Sequence, residues 1–112
     1  MYRVPQEDIR FVLEELADLP AVLELPGFEE VTTDLVWAVI EENARLMEEV
    51  LAPLNVVGDR EGAHWQDGVV TTPEGWREAF RAFVDGGWQG VPHPPEVGGQ
   101  GLPHVVSAAC ME

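Results

Sequence analysis

The chain has 112 residues and a mass of 12.4 kDa, which is enough for one small domain. Hydrophobic residues make up 46% of it and charged residues 24%, an ordinary globular composition that excludes wholesale disorder. Its 21 acidic against 6 basic residues give a formal charge of −15, which argues against binding to nucleic-acid phosphates or anionic membranes.

The first predicted helix runs from Gln6 to Ala17. Its apolar residues recur at three- and four-residue steps and so share one face: Ile9, Val12, Leu13 and Leu16. Leu19-Pro20 should end this helix, because the residue before a proline is pushed out of the helical region. Pro26-Gly27 predicts a turn, and either a short turn or a second small helix precedes it.

The longest predicted helix begins at Thr32-Thr33-Asp34, whose side-chain oxygens can cap its first N–H groups. Two neighbouring apolar stripes follow: Val36, Ile40, Ala44, Met47 and Leu51 in one, and Leu35, Val39, Leu46, Val50 and Leu54 in the other. Two stripes indicate packing against more than one partner, as in a helix bundle. Because proline costs about 3 kcal/mol inside a helix, Pro53 means that the helix either stops near Leu51 or kinks and continues to Gly58.

The second half of the chain predicts two more helices. We interpret residues 58–72 as a surface loop, although Gly68-Val69-Val70-Thr71 could form a very short strand. Thr72-Pro73-Glu74 predicts the start of a third helix, which ends at Gly86-Gly87, and Pro103 opens a fourth. The third helix has an apolar face: Trp76, Phe80, Phe83 and Val84. The expected fold class is therefore all-α, a small bundle of about four helices with a long loop rich in glycine and proline.

The glycine-rich run Gly98-Gly99-Gln100-Gly101 lies in that loop, directly before the fourth helix. Backbone N–H groups at such a place can cradle a phosphate. However, a P-loop ends in Gly-Lys-Ser or Gly-Lys-Thr, and a dinucleotide fingerprint follows a strand. This chain has Leu102-Pro103 and Pro92-His93-Pro94-Pro95 in those places. We therefore favour a conformational role, in which the glycines adopt positive φ and turn the chain between two helices.

No residue pattern indicates a catalytic or metal site. The three histidines lie far apart in the sequence and have no cysteine neighbours with ligand spacing: His64, His93 and His104. The candidate nucleophiles have no base held beside them: Thr71, Ser107 and Cys110. We assign no catalytic, cofactor-binding or metal-binding residue.

The acidic and aromatic residues have ordinary structural explanations. Four acidic pairs are expected on solvated helix faces rather than in a surface that mimics DNA or meets a basic partner: Glu14-Glu15, Glu29-Glu30, Glu41-Glu42 and Glu48-Glu49. Four tryptophans could stack on a flavin, but core and interface packing is favoured for them: Trp37, Trp65, Trp76 and Trp88.

Cysteine content and hydropathy favour a cytoplasmic location. Cys110 is the only cysteine, so no intrachain disulfide can form, and its apolar neighbours indicate a small packed side chain. The first thirty residues show no basic start followed by an apolar run, so no secretory signal is expected. No stretch of eighteen apolar residues predicts a membrane span.

Four segments, taken in order, carry a family resemblance: Leu51–Asn55, Gly58–Gly62, Gly68–Trp76 and Gly86–Pro103. They resemble the N-terminal helical domain of acyl-CoA dehydrogenases, in which a Gly-Gly-Trp-x-Gly stop and a Pro-x-x-x-Gly-Gly-x-Gly-Leu-Pro loop separate two helices. The order is similar to that of the subgroup with an extra N-terminal helical segment. The resemblance implies that residues 1–31 form an N-terminal extension helix and residues 32–112 begin the family's helical domain, within one domain spanning residues 1–112. It also favours the kink at Pro53.

The resemblance implies a flavoprotein that oxidises acyl-CoA thioesters between the α and β carbons, as in fatty acid metabolism. In that family a carboxylate removes the α proton while hydride passes to flavin adenine dinucleotide (FAD). The N-terminal helical domain walls one side of the acyl pocket, whereas the middle β domain and the C-terminal helices hold FAD and the catalytic carboxylate. None of those residues has a counterpart here. The isolated chain is therefore expected to be inactive and to hold no cofactor.

Two explanations of the short length remain open: a fragment of a longer dehydrogenase, or a small protein that kept the helical module. We favour the fragment, because the fourth helix stops soon after it starts and the stripes of the longest helix exceed what three neighbours can cover. Under that interpretation the partners are acyl-CoA and the downstream domains, and the isolated chain should self-associate to cover apolar surface. The alternative function is an acidic helical interaction module without catalysis.

Overall fold

The computed structural model describes all 112 residues, which form five continuous α- or π-helical segments, one β-hairpin and two short 3₁₀ turns (Trp88–Gly90 and Pro95–Val97). The first three segments are α1 (Gln6–Phe11) with a π-helical turn (Val12–Leu16), α2 (Leu19–Leu23), and the rod made by α3 (Thr33–Leu46), a second π-helical turn (Met47–Leu51) and α4 (Ala52–Glu61). The hairpin strands β1 (His64–Gln66) and β2 (Val69–Thr71) follow, then α5 (Trp76–Asp85) and α6 (His104–Met111). None of the helices combines the length and the apolar character that crossing a membrane requires.

The N-terminal helix is confirmed, and so is the option of a second small helix behind it. The first helical segment ends at Leu16, one residue before the predicted end. Asp18 then adopts a left-handed φ of 51°, which breaks the helix, and α2 begins at Leu19. Pro20 sits at the second helical position, where its missing N–H has no intrahelical partner to lose.

The long rod confirms the cap and the continuation past Pro53. The Oγ1 atom of Thr32 accepts a hydrogen bond of 3.1 Å from the Leu35 N–H, which satisfies one free donor of the first turn. Pro53 cannot donate to the Glu49 carbonyl, and the wider π-helical turn that ends at Leu51, two residues before it, accommodates the break in the α-helical pattern. The rod therefore continues to Glu61, three residues beyond the predicted Gly58.

The loop predicted for residues 58–72 is wrong, but the alternative of a very short strand after Gly68 is confirmed by β2, and the helical fold class is confirmed except for this small sheet. Its first residues belong to α4, and the rest forms an antiparallel hairpin in which Trp65 pairs with Val70. Asp67 and Gly68 make the turn with φ values of 50° and 80°, the positive angles of a two-residue type I′ turn. The fold is predominantly helical with a small sheet, and it has five helical segments instead of about four.

The start of α5 also differs from the prediction. The helix begins at Trp76, behind Gly75 at a φ of 83°, and no side chain caps it. Thr72 therefore does not cap this helix, and Pro73 is buried instead of opening it. The predicted end at Gly86-Gly87 is confirmed, because α5 stops at Asp85. The fourth predicted helix is confirmed as α6, with Pro103 immediately before its first residue.

The hydrophobic core occupies only part of the molecule, which we call the core lobe. Its nine buried residues come from the π-helical turn after α1, from α2, α3 and α6, and from the loop before α6: Leu13, Leu19, Val36, Trp37, Ile40, Val91, Leu102, Val106 and Cys110. Residues 52–85, which comprise α4, the hairpin and α5, contribute none of them. We call this second part the arm, in which only Pro73 and Ala79 are buried.

The molecule is a thin slab. Its extents are 53 × 34 × 17 Å, so the shortest dimension is not much more than one helix diameter. The radius of gyration is 16.7 Å, compared with about 13 Å for a compact domain of this length. The accessible surface is 7970 Å², compared with about 6,100 Å² for a compact monomer of this mass. The fold therefore leaves roughly 1,800 Å² more surface exposed than a compact protein would.

Candidate functional site

The glycine-rich loop before α6 is closed by its own hydrogen bonds. The N–H groups of Gly98, Gly99, Gln100 and Gly101 donate to the carbonyls of Pro95, Pro94, Gly90 and His93 at 2.9–3.0 Å. All four donors that could cradle a phosphate are therefore occupied within the chain. The phosphate-cradle alternative is not supported, and the conformational role that the sequence favoured is confirmed.

Three glycines of this loop show why glycine is favoured there. Gly98 and Gly101 have φ values of 85° and 66°, in the left-handed region that disfavours side chains. Gly99 has a different constraint, because a Cβ there would overlap the backbone carbonyl group of His93. The loop thus brings two backbone segments into direct contact. It also places Leu102 in the core, where the Leu102 N–H donates to the Val91 carbonyl.

Glu48 anchors the N-terminal segment to the rod. Its carboxylate accepts hydrogen bonds of 2.8 Å from the Val4 N–H and from the Arg3 guanidinium, and its side chain is 16% exposed. The Val4 hydrogen bond and then the Arg3 hydrogen bond hold the pKa of Glu48 below its ordinary value. The other members of the predicted solvated pairs are exposed, so Glu48 is the exception among them.

Two apolar clefts flank α6 in the core lobe. One, of about 350 Å³, lies between the N-terminal segment, the rod around Met47 and Leu51, and the end of α6 at Cys110 and Met111. The other, of about 490 Å³, lies between α1 and α6 and is lined by residues that include Val12 and Val105. Most of the lining side chains of both clefts are hydrophobic, so the clefts suit hydrocarbon rather than charged groups.

The first cleft contains one polar side chain that sequence analysis missed. Asn43 is only 5% exposed, yet its carboxamide makes none of the side-chain hydrogen bonds in the structure. Because no fully enclosed polar atom lacks a partner, the carboxamide keeps some accessible surface, and the residue lines the cleft. The available signal was its position three residues after Ile40 and four before Met47, among the apolar positions of the rod.

Cys110 lines the same cleft and behaves as the sequence predicts. Its side chain is packed in the core, and burial raises the pKa of the thiol to about 11. A thiol held protonated in this way is a weak nucleophile at neutral pH. Ser107 shares α6 with it, whereas Thr71 lies on β2, so the three candidate nucleophiles lie on two different elements.

The remaining candidates are spread over the molecule. The exposed histidines lie on three segments, with His64 on β1, His93 in the glycine-rich loop and His104 at the start of α6. No group of three or more histidine, cysteine, aspartate or glutamate side chains has a metal-binding arrangement.

Two of the four tryptophans lie in the core lobe and two lie on the arm. Trp37 is in the core, with the Arg10 guanidinium 4.5 Å from its ring centroid, and Trp88 packs against the core. Trp65 and Trp76 are exposed on the arm. Core packing is therefore confirmed for two of the four.

The arm carries an exposed apolar helix face, which we call the arm face. On α5 it comprises Trp76, Phe80 and Val84, which are 46%, 67% and 40% exposed and lie one turn apart, with Arg77 and Arg81 beside them. The sequence predicted this apolar stripe, but not that it lies uncovered. The first turn of α5 is fixed on α4, because a Cβ on Gly58 would come within 2.7 Å of the Trp76 ring.

The amino-acid sequence was compared with those of known proteins and is similar to that of one enzyme. No family model matches the chain. The chain is similar to an acyl-CoA dehydrogenase. This relative is 3-methylmercaptopropionyl-CoA dehydrogenase of Ruegeria pomeroyi, which is 45% identical over 111 residues. Those residues are 99% of this chain but 19% of the relative, so the chain spans about a fifth of the relative's length.

Proposed function

We propose that this chain is the N-terminal helical portion of an FAD-dependent acyl-CoA dehydrogenase, with residues 1–31 as an extension and residues 32–112 as the start of the family's helical domain. The observation that carries the proposal is the 45% identity over 99% of the chain. The thin shape and the surplus of exposed surface support it, because a part of a larger enzyme has other domains to pack against.

The chemistry in this proposal is the α,β-dehydrogenation of an acyl-CoA thioester. In the complete enzyme, bound FAD would supply the hydride acceptor for this reaction. The residues of this chain do not fit a flavin on their own, because both clefts beside α6 are mainly apolar whereas a dinucleotide needs several hydrogen-bond donors for its pyrophosphate. We therefore assign the flavin and the catalytic carboxylate to the rest of the enzyme and expect the isolated chain to be inactive.

The role proposed for these residues is to form one wall of the acyl pocket. The clefts beside α6 offer apolar surface on which a hydrocarbon chain can pack and from which it can exclude water. The hydrogen-bonded glycine-rich loop positions the start of α6 and so positions that wall. We take the thioether acyl-CoA named for the relative as the first substrate to assay, and we propose a cytoplasmic location for the enzyme.

The test isolates the native protein from its source with an antibody raised against this chain. Three properties of that protein are then measured: its mass, its flavin absorbance and its oxidation of 3-methylmercaptopropionyl-CoA with a dye acceptor. We expect a band several times heavier than 12.4 kDa, bound flavin and acyl-CoA oxidation. The isolated 112-residue chain is the matched control and should show neither flavin nor activity. A flavin-free native protein of about 12.4 kDa would contradict the proposal and favour the acidic interaction module.

A further inference from the structure

The first cleft contains one buried polar side chain to which the proposed acyl wall gives no role. Asn43 is 5% exposed, and its carboxamide makes none of the side-chain hydrogen bonds in the structure. The other polar side chains that line the cleft are exposed: Tyr2, Asn55 and Glu112. Apart from the weakly polar Cys110 thiol, Asn43 is therefore the one polar side chain in the buried part of the cleft.

Asparagine is an unfavourable residue at this position of the rod. It is a weaker helix former than alanine, leucine or methionine, and an amide that is buried without a partner costs free energy. The carboxamide of Asn43 also does not bond back to a carbonyl one turn earlier in α3. Nothing within this chain offsets these two costs, which points to a partner that binds in the cleft.

The surroundings of Asn43 define the chemistry of that partner. Met47 and Leu51 follow it along the rod, and Cys110 of α6 and Val4 of the N-terminal segment line the same cleft. The cleft has a volume of about 350 Å³, which is enough for part of a small molecule. These walls suit a short, mainly apolar chain that places one weakly polar atom beside the carboxamide.

We infer that Asn43 is a specificity-determining residue for the acyl chain, and that its carboxamide N–H donates to a thioether sulfur in that chain. This inference rests on the proposed function. A hydrocarbon chain would leave the carboxamide unpaired once water has left the cleft. A thioether sulfur accepts a weak hydrogen bond and is almost as apolar as the methylene that it replaces. The thioester end is the weaker candidate for this contact, because it carries the polar CoA and the walls of the cleft are mainly apolar.

The test uses the full-length, flavin-loaded enzyme and two substrates that differ in one atom of the chain: 3-methylmercaptopropionyl-CoA, and pentanoyl-CoA, in which a methylene replaces the sulfur. The measured quantity is the ratio of kcat/KM for the thioether to kcat/KM for pentanoyl-CoA. Their intrinsic difference in reactivity is the same for every variant and cancels when variants are compared. Asn43→Leu should lower this ratio about fivefold, the effect of one net hydrogen bond. Asn55→Leu makes the same change at an exposed position of the same cleft and should leave the ratio unchanged.

Asn43→Ala is the second variant, because it only removes atoms and favours the helix, and it should lower the ratio as well. An unchanged ratio in both Asn43 variants would overturn the inference. If kcat/KM falls equally for both substrates, Asn43 contacts a group that they share, or the chain that follows Glu112. A ratio that Asn55→Leu lowers equally would also overturn it. These results would leave the proposed function standing, whereas a flavin-free native protein of about 12.4 kDa would defeat the proposed function and this inference with it.

Discussion

At the scale of single residues, the glycine-rich loop separates two reasons for glycine. Gly98 has a positive φ but free space around its Cα, whereas Gly99 lies against the His93 carbonyl. Gly98→Ala should therefore cost about 1–2 kcal/mol of unfolding free energy, the penalty of the left-handed region. Gly99→Ala should cost at least about 3 kcal/mol, because the backbone must move apart. Urea unfolding followed by circular dichroism measures both, and equal costs would refute the steric explanation.

The second prediction concerns Glu48 and the pH dependence of the unfolding free energy. Its pKa is lower in the folded chain than the ordinary 4.5, so its contribution to stability is fully present above pH 4.5 and is lost as the pH falls through the lowered value. In Glu48→Gln the unfolding free energy should depend less on pH in that acidic window. Glu49→Gln, at the exposed neighbouring position, serves as the control and should keep the wild-type pH profile. Identical profiles for all three proteins would show that the Glu48 carboxylate does not contribute to the pH dependence of stability.

At the scale of elements, the start of α3 depends on one side chain. Thr32→Ala removes the hydrogen bond to the Leu35 N–H and should lower the unfolding free energy by about 1 kcal/mol. Thr33→Ala is the matched control, because the Thr33 hydroxyl makes none of the capping hydrogen bonds and the helix has already begun there. Thermal unfolding of both variants distinguishes a cap from a general loss of threonine. A larger effect at position 33 would be the contrary result.

The elements also show what the sequence could and could not predict. The periodicity of the rod, the cap at Thr32 and the start of α6 were readable because local chemistry decides them. The second strand was only an alternative and the hairpin itself was not predicted, although Asp67-Gly68 is a strong turn signal, because the two strands are three residues each and carry no buried face. The α5 stripe was predicted, yet periodicity reports which residues share a face and not what covers it. Asn43 was missed for the same reason, since only tertiary packing shows that the residue lines a cleft.

At the scale of the whole molecule, the division into core lobe and arm predicts uneven stability. The core cluster lies entirely outside residues 52–85, so the arm can open at little cost in buried apolar surface. In the isolated chain the amides of α5 and the hairpin should exchange hydrogen well before those of α3 around Val36 and Ile40. Hydrogen exchange read by mass spectrometry tests this order. Uniform protection across both lobes would mean that the chain unfolds as one cooperative unit.

The charge of the whole molecule decides how the isolated chain associates. Its exposed arm favours self-association through apolar contact, whereas a net charge of −15 on each copy opposes it. Salt screens the repulsion and leaves the apolar attraction in place, so the associated fraction should rise between low and high ionic strength. Sedimentation velocity over a salt series measures this, with Phe80→Ser as the variant expected to stay monomeric and Leu25→Ser as the exposed apolar control. Association that falls as salt is added would instead mean that ion pairs between copies hold them together, because screening weakens opposite-charge attraction as well.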